Sequence, residues 1–310
     1  MNGQPSNPEP ILQNQIKIPL KHRLMLYILL LLARLPLSFS RKIGKFFGRM
    51  SGWLGSKQKH FIETNLAHCF PTMNASVRNN LTHKTLLSSG QLVAELAVTW
   101  LWTPQKLCQL PIETQGLEHL QQAFSKQKGV MILTPHLGNW ELFFPFLVNQ
   151  FPLAAMYKPA RMKNLDALIR RQREENGGDV YAADGRGVRQ MIKALKNGKV
   201  TFLLPDQEPA KNAGIFAQFF NQPAWTMTLP GRLYQSTGCE ILFACSLQTK
   251  QGFKVVFRSV ESIHPQMSTE ELAEAINQQM EQLILLAPEQ YQWSYKRFYY
   301  QPEGKPQIYL

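Results

Sequence analysis

The chain has 310 residues, is 44% hydrophobic and carries a formal charge of +13, with ten Lys and Arg against one acid, Glu9, in its first 60 residues. Such a length suits one large domain or two small ones, and the composition can bury a sizeable core. Four cysteines, Cys69, Cys108, Cys239 and Cys245, show no Cys-x-x-Cys spacing and no nearby histidine pair. A disulfide framework and a zinc site are therefore unsupported, a reducing environment is expected, and all four read as small core residues.

The opening stretch, MNGQPSNPEP, is polar and Pro-rich, and residues 1–20 read as a disordered tail. Next comes the apolar run LMLYILLLLA, residues 24–33, set among basic residues. A nucleic-acid-binding arm has no reason to carry such a run, so nucleic acid is excluded as a partner and an anionic phospholipid membrane is expected. The run is only ten residues long, against the roughly 20 that span hydrocarbon. Residues 21–40 are accordingly read as a membrane-anchoring helix lying in the interface, with a tilted single span, a buried core helix and a signal peptide as the alternatives. No small-x-small cleavage site follows, since the chain continues RLPLSFSRKIGKFFGRM.

Residues 41–310 read as the main domain. Its first part is helical: in THKTLLSSGQLVAELAVTWLW the apolar residues Leu86, Val93, Leu96, Ala97, Trp100 and Leu101 fall near helical spacing. From Gly129 short apolar runs alternate with helical segments. GVMILT, LAAMYK, KVTFLLP, CEILFACSL and FKVVFRSV are candidate strands, and candidate helices lie at about 140–149, 163–176, 186–197 and 225–237. This alternation predicts an α/β fold with a mixed, largely parallel sheet flanked by helices. Ligand sites in such sheets lie beyond the carboxyl ends of the strands. Three strand ends there carry a titratable group beside a proline: Pro135-His136, Lys158-Pro159 and Pro205-Asp206. Proline stops the ladder, so the side chain next to it is presented at the sheet rim.

His136 is followed at Glu141 by a carboxylate. An imidazole can take a proton from a hydroxyl, and a carboxylate on its second nitrogen fixes the tautomer and stabilises the imidazolium. Five positions apart, two residues differ by about 140° on a helix. The pair therefore works only if His136 precedes the helix, on a turn made permissive by Gly138 and Asn139, with Glu141 in the first helical turn. The alternative is structural: a strand-end histidine held by backbone, and a glutamate placed for the helix dipole. In KNLDALIRRQREENGG, Leu165, Leu168 and Ile169 define a buried stripe that Arg173 borders. Arg173 either reaches a phosphate or oxyanion or packs its stem with its head in water, whereas Arg170 is expected to pair with Asp166 at i, i+4. An esterase is disfavoured, because no Gly-x-Ser-x-Gly elbow is present.

The segments ARLPLS, NLAHCFP, TPHLGNWE, YKPARMKNLDALIRRQR, DGRGVRQMIKALKNGKVTFLLPDQE and APEQYQWSYKRFYYQPEG together resemble the bacterial lipid A biosynthesis late acyltransferases, across roughly residues 20 to 305. The resemblance implies a glycerolipid-acyltransferase-like domain at the cytoplasmic face of a bacterial inner membrane. It would move a fatty acyl group from acyl carrier protein to a hydroxyl of a hydroxyacyl chain on a Kdo-bearing lipid A precursor. In these terms His136 matches the general base, Glu141 its acidic partner and Arg173 the motif arginine. Substrate contacts are expected from Lys158, Asp206 and Asn139, with lysine at 158 where many members carry arginine. Backbone N–H groups near Gly138 and Asn139 join Arg173 as candidate oxyanion donors. No metal and no resident cofactor are implied. Acylation of another membrane lipid and a catalytically silent membrane scaffold are the alternatives.

Overall fold

A computed structural model describes residues 19–107, 109–157, 166, 167, 169, 170, 173, 174 and 176–309. The expected tail therefore lies outside the described residues except for Pro19 and Leu20, as do Lys158 and Cys108.

Two helices, α1 (Leu20–Arg34) and α2 (Leu37–Trp53), come first, broken at Leu35-Pro36. The segment expected as one anchor over 21–40 is thus two helices, since proline at 36 disfavours helical backbone at the residue before it. Among the described residues no helix is long and apolar enough to cross a membrane. Both helices lie against α4 (Ala75–Leu101), which α3 (Lys57–Cys69) precedes. Asn74 opens α4 by accepting from the backbone N–H of Ser76 at 2.8 Å. Leu29, Leu32 and Ala33 of α1 bury against Ala94 and Ala97, while Leu24, Tyr27, Ile28 and Leu31 stay exposed. Glycines at 44, 48 and 90 let α2 and α4 touch backbone to backbone: a Cβ on Gly48 would strike the Leu86 carbonyl, and one on Gly44 the Gly90 carbonyl.

Arg41 of α2 is buried and fixes this pair to the rest of the molecule. Its Nε donates to Glu95 at 2.7 Å, and its two Nη groups donate to the carbonyls of Thr249 and Gly252 at 2.8 Å each. Burial pushes the Glu95 carboxyl up, against the pull of Arg41.

The α/β half carries a seven-stranded sheet of order β1-β9-β8-β2-β5-β3-β4. Its strands are β1 (Ile112–Gln115), β2 (Val130–Leu133), β3 (Leu153–Tyr157), β4 (Asp179–Ala182), β5 (Val200–Leu203), β8 (Glu240–Gln248) and β9 (Phe253–Ser259). Five of the six pairings are parallel and only β8 with β9 is antiparallel, so the predicted mixed, largely parallel sheet is present. Side chains alternate across it. Met131, Leu133, Ala154, Leu203 and Phe243 face one core, whereas Val130, Ile132, Ala155, Phe202 and Leu242 face the other. The first core is closed by α3, α7 (Gly185–Lys196), α8 (Leu229–Thr237) and α9 (Thr269–Ile284). The second is closed by α5 (Leu117–Ser125) and α6 (Phe143–Leu147).

One expected helix is partly a strand. Residues 222–227 form β7, paired with β6 (Gly214–Phe219) in a two-residue hairpin, and the helix begins only at Leu229. The turn residues Phe220 and Asn221 both have positive φ, 49° and 57°, as a primed hairpin turn requires. Pro230 then suits the first turn of α8.

Candidate active site

β2 and β5 are neighbouring parallel strands in the register Leu133↔Leu203. Each runs on through a proline, and three residues past that register pair come His136 on one chain segment and Asp206 on the other. Equal extension from adjacent strands brings the two side chains together: His136 Nδ1 and Asp206 Oδ1 are 2.8 Å apart, and the His136 backbone N–H donates to Asp206 Oδ2 at 3.0 Å. Asp206 is 1% exposed, and the His136 side chain is 16% exposed. Burial works to raise the Asp206 carboxyl, but the charge and hydrogen bonds of His136 outweigh it and hold the group below the usual carboxylate range. In the neutral ring, Nδ1 donating to this carboxylate leaves the lone pair on Nε2. Trp140 packs edge-on against the imidazole with 4.9 Å between centroids.

The carboxylate that orients His136 is therefore Asp206 and not Glu141. The turn does have the expected form, with Gly138 at φ 60° and Glu141 in the 3₁₀ turn Trp140–Leu142 that leads into α6. That turn carries Glu141 away from the ring toward α4. Its Oε2 accepts from Arg173 Nη2 at 2.7 Å and from the indole N–H of Trp100 at 3.1 Å. The Arg173 guanidinium also lies over Phe144, 5.3 Å from the ring centroid. Arg173 is 9% exposed, so its head is turned onto Glu141 and not into bulk water. Thr99, Trp100, Glu141, Phe144 and Arg173 line a small cleft. Arg170 pairs with Glu174 at 2.7 Å, whereas the expected partner Asp166 accepts from the Tyr157 hydroxyl.

Three further expectations are corrected. Asn139 is fully buried, and its amide donates to Thr99 Oγ1 at 3.0 Å and to Glu95 Oε2 at 3.4 Å, so its side chain ties the loop to α4 and is not presented to a substrate. The backbone N–H groups of Gly138 and Asn139 are also occupied, donating to Gln290 O at 3.1 Å and Ser246 O at 2.8 Å. They brace the histidine loop and are not aimed at an oxyanion. Asp206 has both oxygens engaged by His136, which makes it the orienting group and removes it from substrate contact.

The rest of the bracing comes from the C-terminal segment. Gln292 N–H donates to His136 O at 3.0 Å, and Leu137 bridges to Tyr291. Tyr291, buried, is pushed well above the ordinary tyrosine range, first by burial and then by the charge of Asp206. Gln207 reaches Gln292 at 2.9 Å. Tyr291 and Trp100 were not among the expected site residues; the density of aromatic residues in APEQYQWSYKRFYY was the one visible signal for the former.

A histidine held by a buried aspartate at the carboxyl rim of an α/β sheet has the geometry to take a proton from a hydroxyl, and among the described residues no serine, threonine or cysteine hydrogen-bonds the ring. The model of the bacterial lipid A biosynthesis acyltransferase family matches residues 13–299, and the chain belongs to that family. It is 26% identical over 285 residues to the lipid A biosynthesis lauroyltransferase of Escherichia coli K12, covering 91% of this chain and 92% of the relative. To a lipid A biosynthesis acyltransferase of Haemophilus influenzae Rd it is 27% identical over 281 residues, 86% and 84% of the two chains. A palmitoleoyltransferase of the same E. coli strain is 24% identical over 286 residues, covering 91% and 92%.

Proposed function

We propose that this acyltransferase moves a fatty acyl chain from an acyl carrier protein thioester to the hydroxyl of a hydroxyacyl chain on a Kdo-bearing lipid A precursor, at the cytoplasmic face of a bacterial inner membrane. The observation that carries the reading is the His136–Asp206 pair, with the ring's second nitrogen left for a hydroxyl.

His136 Nε2 takes the acceptor's hydroxyl proton as that oxygen attacks the thioester carbonyl, and Asp206 stabilises the imidazolium that forms. The tetrahedral intermediate collapses, the carbon–sulfur bond breaks, and the departing thiolate receives the proton from His136. An ester and a free thiol result, so the step balances with His136 as the only proton carrier. Glu141, itself bonded by the Trp100 indole, holds the Arg173 guanidinium at the neighbouring cleft, where its positive charge supports the developing oxyanion. Lys158 remains a candidate substrate contact.

The exposed apolar residues of α1 and α2, among them Ile28, Leu31, Phe46, Phe47 and Trp53, sit beside Arg23, Arg34, Lys42, Lys45 and Arg49. That combination suits the interface of an anionic bilayer. Since Arg41 ties α2 to the Thr249–Gly252 turn beyond the carboxyl end of β8, this surface adjoins the rim that carries His136.

The test is to incubate purified protein with a lauroyl carrier-protein thioester and a Kdo-bearing precursor and to follow product by mass spectrometry. Gain of one ester-linked acyl chain on the precursor supports the reading. Transfer only to a glycerophospholipid or another glycolipid, or no transfer at all, contradicts it.

A further inference from the structure

α7 bears a stripe of cations. Its sequence, GRGVRQMIKALK, contains no acid, and Arg186, Arg189, Lys193 and Lys196 are all exposed. Their spacing of three, four and three residues places them within an arc of about 80° on the helix. The opposite side is apolar and buried through Met191, Ala194 and Leu195. No described carboxylate forms an ion pair with any of the four.

Local structure accounts for only half of the stripe. Cations in a last helical turn complement the dipole, which explains Lys193 and Lys196. Arg186 and Arg189 stand at the other end, where the dipole disfavours positive charge, and only the capping Asp184 offsets them. Residues kept against a local rule point to a partner.

The position of α7 selects the partner's kind. The helix follows β4 and precedes β5, two strands of one parallel direction, so it starts at the carboxyl rim and runs back toward the amino ends. A bilayer lying on the rim would meet its first turn alone. No strongly exposed apolar side chain interrupts the stripe, in contrast to the surface of α1 and α2. The stripe is about 15 Å long, the reach of ten helical residues, and β4 lies three strands from β2, about 14 Å at the usual spacing.

We propose that this face of α7 docks the acidic surface of the acyl-carrier donor, so that the carrier's thioester arm enters over the rim toward His136. The proposal rests on the donor reading above. It is tested with the full chain, comparing wild type with R186E/R189E/K193E/K196E, the same four positions changed to Gln, and the pair R186E/R189E. Each is assayed with a lauroyl carrier-protein thioester and with lauroyl-pantetheine, which lacks the protein surface, at a fixed concentration of detergent-dispersed acceptor. A melting curve establishes folding, and the pair or the Gln variant stands in if the fourfold reversal does not fold.

Docking raises the KM for the carrier thioester by about tenfold or more in the reversal, and less in the Gln variant, while rates with lauroyl-pantetheine stay at wild-type level. The wild-type KM rises with salt and that of the reversal does not. An unchanged KM for the carrier thioester, or equal losses with both donors, overturns the proposal. So does a variant that uses the carrier normally but no longer pellets with anionic vesicles, which would assign the stripe to lipid. The donor reading fails separately if wild type turns over lauroyl-pantetheine as efficiently as the carrier thioester.

Discussion

At residue scale the decisive feature is the division of labour between two acids. Asp206 is sealed from solvent and bound twice to His136, while Glu141 serves Arg173 and Trp100. Replacing Asp206 by Asn keeps the shape but removes the charge that supports the imidazolium; turnover is expected to fall about 10² to 10⁴-fold with acceptor KM little changed. Glu141→Gln weakens the hold on Arg173, and Arg173→Ala removes the cation; each is expected to lower turnover on the order of 10² to 10³-fold, with the double variant no worse than the poorer single one. Rates that multiply would show that the two residues act independently. Glu208 offers a pH test of the same rim. Burial pushes its carboxyl up to about 7, against opposing pulls from the Tyr300 N–H and Arg297. A raised carboxyl favours the folded state while protonated, so its contribution is complete below the ordinary glutamate range and is lost as pH rises through about 7. Melting temperatures of wild type and Glu208→Gln should therefore diverge between pH 5 and pH 8, with wild type falling relative to the variant; parallel curves would refute the shift.

At the scale of elements, the contact between α2 and α4 joins the apolar surface to the histidine loop. Arg41 on one helix meets Glu95 on the other, and Glu95 also receives the amide of Asn139, the residue that begins the turn after His136. Gly48→Ala tests how close this contact is. An alanine raises helix propensity by about 1 kcal/mol, but here its Cβ meets the Leu86 carbonyl backbone. Overpacking of that kind costs about 1 to 3 kcal/mol, so a lower melting temperature is expected, and a higher one would mean that the helices separate freely. The apolar surface has its own test: changing Phe46, Phe47 and Trp53 to Ser should abolish pelleting with anionic vesicles while activity on detergent-dispersed acceptor persists. Undiminished pelleting would place the membrane contact elsewhere.

For the whole molecule, the sheet was largely legible from apolar runs, because β2, β3, β5, β8 and β9 are buried strands that announce themselves by composition. The short, half-exposed edge strands β1 and β4 carry no such run, and the β6–β7 hairpin was partly hidden by a helical reading of residues 225 to 227. His136 was legible as a rim residue beside a strand-end proline. Its partner was not, because the order of strands decides which two rims meet: only the adjacency of β2 and β5 brings Asp206 to the ring, while sequence spacing drew attention to Glu141. Arg173 was picked out by its place beside the buried stripe, but its contact with Glu141 crosses 32 positions and has no local signature. The most direct test of the whole is the steady-state rate of acyl transfer from a carrier-protein thioester to a purified Kdo-bearing lipid A precursor, compared between wild type and a folded His136→Ala variant. Loss of at least about 10²-fold in turnover, with vesicle binding and melting temperature unchanged, is the expected result; a variant retaining more than about a tenth of wild-type turnover would contradict the assignment of His136 as the base.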